Sequence, residues 1–440
     1  METKIIVLDD DPTGSQTVHG CLLLTRWDVD TLVEALRDDS ALFFVLTNTR
    51  GKAADAAARL TREVCVNLKC ALDRLATEGR PINPLLVSRS DSTLRGHYPV
   101  ETDVMAEELG PFDAHFLVPA FFEGGRFTRD SVHYLMIAGV PTPVHETEFA
   151  RDSVFAYRHS YLPEYVEEKT AGRIPAASVE RFLLAEVRGD ALDRLLGLHG
   201  NACCVVDAET QTDLDHFADQ LKQAAARGKR FLFRSAASLL TALARLPPQP
   251  IPAESMARYV RGGQPGAVLV GSHVKKTTQQ LEALLRERDI EAIEIDVARI
   301  DDNRERVLQT VLAAAAAAHH AGRTAVIYTS RVERTFADQS TRLAFGQRVS
   351  ALLMDVVRGL PPTLGFLISK GGITSNDVLS DGLALRTARV LGQVLAGCSV
   401  VRCPVDHPRF PELPVVIFPG NVGDVDALAS VYRRMRAPAV

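Results

Sequence analysis

Ile5-Ile6-Val7-Leu8-Asp9-Asp10-Asp11-Pro12-Thr13-Gly14-Ser15 is the stretch that decides the fold. Its four apolar residues, three of them β-branched, favour a strand, and unbroken rather than alternating apolarity means burial on both faces. The run stops on three carboxylates, a proline and a glycine, so a turn begins where the strand ends. The same grammar recurs at Phe43 to Thr47, Leu85 to Ser88, Phe116 to Pro119, Cys203 to Val206 and Phe231 to Phe233. It returns at Ala267 to Val270, Ala292 to Ile295, Ala325 to Tyr328, Phe366 to Ser369 and Val415 to Phe418. Each run closes on a polar or glycine cluster and is followed by a longer Ala/Leu/Arg/Glu-rich stretch. The predicted class is therefore α/β, with mostly parallel sheets flanked by helices.

Between the two sets lies Leu246-Pro247-Pro248-Gln249-Pro250-Ile251-Pro252. Four prolines support neither a helix nor a central strand. We read residues 246–253 as a linker between an N-terminal domain, 1–245, and a C-terminal domain, 254–440, each a mostly parallel sheet with helices. Residues 141–200 carry more charge and weaker strand signals, which predicts a helical excursion on the first domain. The alanine run Ala313 to Ala318 predicts a helix ending near His319, His320 and Gly322.

Composition narrows the partners. The 440 residues carry 50 Lys+Arg against 55 Asp+Glu, a net charge of −5, so no broad basic field exists for nucleic acid or an anionic membrane. No apolar segment approaches the length that spans a bilayer. Seven cysteines without a C-x-x-C argue against a disulfide or zinc framework. The N-terminus lacks the basic and long apolar regions of a signal peptide, and a reducing cytoplasm is the expected location. The oligomeric state is left open, a homo-oligomer included.

In open α/β sheets ligands bind beyond the carboxyl ends of the strands. After the first strand, Asp9, Asp10 and Asp11 repel one another unless a cation or hydrogen-bond donors offset them. They form either a helix-capping turn or a cluster that binds Mg²⁺, accepts hydrogen bonds from a polyol or takes a hydroxyl proton. After the second, Leu46-Thr47-Asn48-Thr49-Arg50 ends on an arginine. After the third comes Val87-Ser88-Arg89-Ser90-Asp91-Ser92-Thr93-Leu94-Arg95-Gly96-His97. Guanidinium groups grip a carboxylate while Asp and Ser bond hydroxyls, so Arg50, Arg89, Arg95, Ser90, Asp91 and Ser92 suit a small oxygen-rich anion.

The C-terminal half offers Val270-Gly271-Ser272-His273-Val274-Lys275-Lys276, Ser369-Lys370-Gly371-Gly372-Ile373-Thr374-Ser375-Asn376 and Phe418-Pro419-Gly420-Asn421-Val422-Gly423-Asp424. The first two pass from strand to glycine and hydroxyl and the third from strand to glycine, a setting in which backbone N–H groups can receive phosphate oxygens. None is a P-loop. Any one of them is an ordinary turn as readily as a site, but three on one sheet point to a shared ligand. An acid, arginine and hydroxyl site in one half and a phosphate site in the other suit phosphoryl transfer from a nucleotide.

The ordered motifs resemble those of the four-carbon acid sugar kinases. Asp10-Asp11-Pro12-Thr13-Gly14 is similar to the family's D-D-x-T-G, followed by Arg50. Asp91-Ser92-Thr93-Leu94-Arg95-Gly96 is similar to D-S-T-x-R-G, and Pro119-Ala120-Phe121 with Gly125-Arg126 to P-A-F…G-R. Val140-Pro141 and Glu146-Thr147-Glu148-Phe149 follow, then Gly271-Ser272, Gly371-Gly372-Ile373-Thr374 and Gly420-Asn421-Val422-Gly423 as nucleotide loops. The resemblance implies ATP- and Mg²⁺-dependent phosphorylation of a terminal hydroxyl on threonate, erythronate or 3-oxo-tetronate. It implies substrate contacts at Asp10, Asp11, Arg50, Arg89, Ser90, Asp91, Ser92 and Arg95. Nucleotide contacts would fall at Ser272, Gly371, Gly372, Ile373, Thr374, Gly420 and Gly423. Asp11 or Asp91 would take the hydroxyl proton, and no metal ligand is assigned. Three positions depart from the family pattern: Arg89 stands for lysine, Ile373 for the glutamate of G-G-E-T, and His97 for asparagine.

Two other readings compete. Ile5 to Thr13 also fits the hhhhDxDxT motif of haloacid-dehalogenase phosphatases, with Asp9 as nucleophile and Asp11 as general acid. A catalytically silent sensor of sugar acid or nucleotide is the second, kept open by Ile373.

Overall fold

The computed structural model describes residues 2–272, 274–331, 339–420 and 422–436, with backbone alone at 339, 340 and 343. His273 and Asn421, quoted above within two of the glycine turns, lie outside the described residues. The chain divides into two compact units, Met1–Pro247 and Pro248–Val440. Among the described residues no helix is long and apolar enough to cross a membrane.

The first unit contains β1 (Glu2–Asp9), β2 (Leu22–Leu24), β3 (Leu42–Leu46), β4 (Ile82–Arg89), β5 (Ala114–Val118), β6 (Arg126–Arg129), β7 (Val132–Ile137), β8 (Val140–Pro143), β9 (Glu180–Phe182), β10 (Ala202–Val206) and β11 (Phe231–Ser235). Eight of these run parallel in the order β2-β3-β1-β4-β11-β5-β10-β9. From β3 the chain crosses over β1 to lay down β4 on its other side. The carboxyl ends of these three strands thus meet where the winding direction reverses, the place an open α/β sheet leaves a crevice. The helix Ala54–Thr77 shows why such elements cover the sheet. Ala57, Thr61, Val64, Cys65, Leu68, Ala71 and Leu75 recur at helical spacing and are buried. Val64, Cys65, Leu68, Ala71 and Leu75 join Phe43, Val45 and Leu86 in one cluster of the core.

Residues 126–143 depart from expectation. Instead of leading straight into a helical excursion, β6, β7 and β8 form a separate antiparallel sheet. Helix Leu162–Lys169, β9 and short helices follow. Two prolines hid β8, and proline is tolerated there because the strand has one partner and an open side.

The second unit contains β12 (Ala267–Val270), β13 (Ile290–Ile295), β14 (Thr324–Thr329), β15 (Leu367–Lys370), β16 (Thr387–Leu395), β17 (Cys398–Arg402) and β18 (Pro414–Phe418), in the order β13-β14-β12-β15-β18-β17-β16. The pairs from β13 to β18 are parallel, while β17 pairs antiparallel with both β18 and β16. Winding reverses between β12 and β15. The helix carrying the alanine run spans Ile300–His320, and Gly322 follows at φ +72°. The proline segment is anchored: Gln249 accepts from Gln393 N at 2.8 Å and donates to Gln393 O at 3.1 Å.

Candidate active site

In the first unit, the strand ends bring the acidic cluster and the arginines together. Arg50 donates from Nε and Nη2 to both oxygens of Asp10, at 3.2 and 2.6 Å, and from Nη1 to Asp11 Oδ2 at 3.2 Å. Asp91 Oδ1 stands 4.0 Å from the same nitrogen. A single guanidinium therefore links carboxylates from two strand ends. Arg95 donates to Asp91 Oδ2 at 2.7 Å, with Thr93 on the same oxygen. Asp91 Oδ1 keeps no hydrogen-bond donor among the described residues. Burial pushes the Asp91 carboxyl up, but Arg50, Arg95 and Thr93 outweigh it and hold it well below the ordinary range. At Asp11 burial is likewise overcome, by Arg50, Arg89 and two hydrogen bonds from Thr13. Both groups are ionised at neutral pH and retain partial exposure, with side chains 22 % and 13 % accessible for Asp11 and Asp91.

Beneath them lies a buried layer. Asp9 has no exposed surface; its only cationic partner within 4 Å among the described residues is Arg89, at 3.3 Å, and its Oδ2 has no hydrogen-bond partner there. Burial, only partly offset by Arg89, raises its pKa from 3.8 to about 7. A Cβ on Gly14 would lie 1.9 Å from Asp9 Oδ2, so the turn seals this carboxyl. An attacking nucleophile needs access that Asp9 lacks, which removes the phosphatase reading. Arg89, expected to contact substrate, is instead a buried counter-charge. Asp10 and Ser90 are also buried: Ser90 Oγ is 2.6 Å from Asp10 Oδ2 and accepts from Arg234 at 2.7 Å. Arg234 in turn bonds Ser88 and Glu101, at 2.7 and 2.5 Å, and Thr49 donates to Glu101 at 2.5 Å. Arg234 and Glu101 escaped the sequence reading because neither belongs to a cluster there; a charge ending a buried strand was the only signal. His97 donates to the carbonyls of Thr49 and Lys52, around 3 Å, and so fixes the chain around Arg50.

The loop Asp91–Gly96 is held by its carbonyls. Ser92 O accepts from His133, Thr93 O from Tyr157 and Leu94 O from Tyr165, at 2.7 to 2.8 Å, and Arg95 O lies 3.0 Å from Ser90 Oγ. Burial lowers His133 from 6.5 to about 4, so its ring is neutral. Since Ser92 O can only accept, Nε2 carries the proton and Nδ1 accepts from Thr128. Burial pushes both phenols up, which keeps them donors. Ser92 itself is nearly buried, while Arg95 lies over the Phe149 ring at 4.9 Å. Gly96 adopts φ +116°, and a Cβ there would lie 2.4 Å from Ser90 Oγ and 2.8 Å from Arg234 Nη2.

The second unit contains a cavity of about 860 Å³ at its own reversal point. Ser272, Gly371, Gly372, Ile373, Thr374 and Gly420 line it; Gly423 does not, and sits in the adjoining turn at φ +77°. A Cβ on Gly271 would lie 2.8 Å from Thr374 Oγ1, so the turns after β12 and β15 touch. The helix Lys275–Leu284 opens with Lys275 and Lys276 and no acid in its first turn. A helix N-terminus flanked by lysines is a setting that favours an anionic ligand. Arg331 fixes Ser272 by donating to its carbonyl at 2.6 Å.

Lys370, quoted in the sequence but given no role there, is fully buried. It donates to the carbonyls of Pro419 and Gly420 at 2.6 and 3.0 Å and lies over the Phe418 ring. Burial lowers it from 10.5 to about 8. Ile373 is 73 % exposed at the cavity. No group of three His, Cys, Asp or Glu suited to a metal occurs among the described residues.

Residues 5–243 match the family model described as a sugar-binding N-terminal domain, and residues 267–428 match a nucleotide-binding C-terminal domain. The chain is 26 % identical over 295 residues to D-erythronate kinase of Heliobacterium modesticaldum, covering 64 % of this chain and 60 % of that protein. It is 31 % identical over 202 residues to D-threonate kinase of Bordetella bronchiseptica, covering 42 % and 46 %. Both matches span less than two thirds of the relative's length. A solved structure from Salmonella typhimurium LT2, provisionally named a tRNA synthase, has a TM-score of 0.68 at 18 % identity and covers 99 % of this chain and 100 % of its own. That likeness concerns the fold alone.

Proposed function

The chain belongs to the four-carbon acid sugar kinase family, and we propose that it transfers the γ-phosphoryl group of ATP to the terminal hydroxyl of threonate, erythronate or 3-oxo-tetronate. The observation that carries this reading is that one chain holds both halves of the chemistry. A guanidinium-linked cluster of Asp10, Asp11 and Asp91 closes the first unit's strands, and a glycine-turn cavity with two lysines closes the second's.

In-line phosphoryl transfer passes through a loose transition state, so the acceptor hydroxyl surrenders its proton late and needs orientation more than a strong base. Ionised Asp91 suits that demand, with Oδ1 open to a hydroxyl while Oδ2 is fixed by Thr93 and Arg95. Asp11 is the second acceptor, with Arg50 holding both carboxylates in place. Backbone amides after β12 and β15, with Lys275 and Lys276, would receive the phosphates. Mg²⁺ keeps most of its water and takes one or two carboxylates plus phosphate oxygens. Asp377 on the cavity wall fits that limited requirement and would hold the ion, which supplies charge neutralisation at the phosphates. A reducing cytoplasm accords with seven free cysteines.

The test is a coupled ADP-release assay with Mg·ATP over D- and L-threonate, D- and L-erythronate, 3-oxo-tetronate and neutral tetroses. Release dependent on one or more acids is expected. Activity on a neutral sugar with none on any acid would overturn the reading, and binding of both ligands without turnover would leave the sensor.

A further inference from the structure

Five arginines surround or underlie the acidic cluster, and four are spent on carboxylates of the protein itself. Arg50 serves Asp10 and Asp11, Arg89 serves Asp9, Arg95 serves Asp91 and Asp152, and Arg234 serves Glu101. Arg126 differs. It has no carboxylate within 4 Å among the described residues; the one hydrogen bond its guanidinium makes there runs from Nη1 to Gly124 O at 2.5 Å, and its buried Nε has no acceptor there. The residue is half-buried, and its guanidinium lies over the Phe121 ring at 5.8 Å; a guanidinium partly withdrawn from water with no carboxylate beside it favours an anionic partner.

Its surroundings are built around it. Gly124 leaves room for the guanidinium: a Cβ there would lie 2.1 Å from Arg126 Nη1 and 2.5 Å from the Phe121 ring, so one of those side chains would have to shift. Arg126 and Thr128 alternate onto the same face of β6. Thr128 contacts His133, which in turn holds Ser92 O, so that face is directed to the Asp91–Gly96 loop. The charge registers the same neighbourhood: burial lowers the Arg126 pKa, Asp91 raises it and Arg95 lowers it.

We propose that Arg126 binds the carboxylate of the acceptor acid, fixing the end of the molecule opposite the phosphorylated hydroxyl. This rests on the sugar-acid reading and adds the residue that distinguishes an acid from a neutral polyol.

Calorimetry with ADP present, on wild type, Arg126→Gln and Arg126→Lys, tests it with D-erythronate, D-threonate and erythritol. Arg126→Gln is expected to weaken the best acid by about 100-fold, the usual scale for losing one side of a charge pair that the bound acid would bury. Erythritol affinity should not move, ADP affinity should stay normal as the sign of an intact fold, and Arg126→Lys should recover part of the loss. Acid binding within about threefold of wild type in Arg126→Gln would overturn the assignment, as would a parallel loss for erythritol. Wild type that binds no acid would overturn both this and the sugar-acid reading. Acid binding that depends on Arg126, without ADP release in the turnover assay, would sustain Arg126 and remove the kinase.

Discussion

Asp9→Asn probes the sealed layer under the site. In wild type the folded chain holds the Asp9 proton to about pH 7, whereas the unfolded chain releases it near the ordinary 3.8. Between those values the folded state binds more protons, so this group makes wild type less stable as pH rises, and the loss is complete above pH 7. At about 1.4 kcal/mol per pKa unit the full interval is worth about 4 kcal/mol, of which about 2 to 3 kcal/mol falls between pH 5 and 7. Asp9 is fully buried, so solvent screening does not dilute the effect. Asparagine is nearly isosteric, does not ionise and lacks this dependence. Urea denaturation of both proteins at half-unit steps from pH 5 to 8 should therefore show Asp9→Asn gaining on wild type up to pH 7 and running parallel above. The difference between the curves cancels Asp11 and Asp91, whose depressed values act below pH 4. A difference constant with pH would refute the reasoning. One that favours wild type as pH rises would mean that Arg89 dominates burial and that Asp9 is an ordinary ion-pair carboxylate.

Gly96→Ala should destabilise the chain by about 1 to 3 kcal/mol and raise the KM for the acid far more than that for ATP, since the new methyl meets Ser90 and Arg234 at positive φ; denaturation and steady-state kinetics check it, and a near-silent variant would contradict the packing. Nucleotide affinity, followed by calorimetry from pH 7 to 9, should weaken as Lys370 loses its proton around pH 8, and Lys370→Met should be weak and flat across that range. Ile373→Glu should leave stability within about 0.5 kcal/mol because the side chain is exposed. It should also lower the Mg²⁺ concentration needed for half-maximal turnover; an unchanged Mg²⁺ dependence would free that position of any role in metal binding.

Much of this was legible wherever an apolar run ended in a chemical signature. Ile5 to Leu8 located β1 and the carboxylates after it, and Leu85 to Ser88 did the same for β4 and Asp91. What the pattern could not convey is which side of the chain a residue faces. Arg89 and Arg95 look alike in sequence, yet Arg89 ends a strand facing inward, and Arg95 lies on a loop beside Phe149. Lys370 was opaque for a related reason: a lysine after a strand usually reaches solvent, and only the fold reveals two carbonyls awaiting it. The strand β16 escaped because Gly392 and register shifts on either side of it interrupt its alternation, and β17 because it is short and follows directly on a two-residue turn. The β6 to β8 sheet escaped because its strands are short and proline-bearing.

The Asp91–Gly96 loop is gripped through its main chain by His133, Tyr157 and Tyr165, contributed from 41 to 71 residues further along the sequence. Curvature and chemistry are thereby encoded in different places. Side chains on the loop can drift without altering its path, while one change in the distant insert would re-aim every group the loop carries. Selection for a new acid can then act on the insert alone, leaving D-S-T-L-R-G untouched, and two chains identical in that motif need not share a substrate.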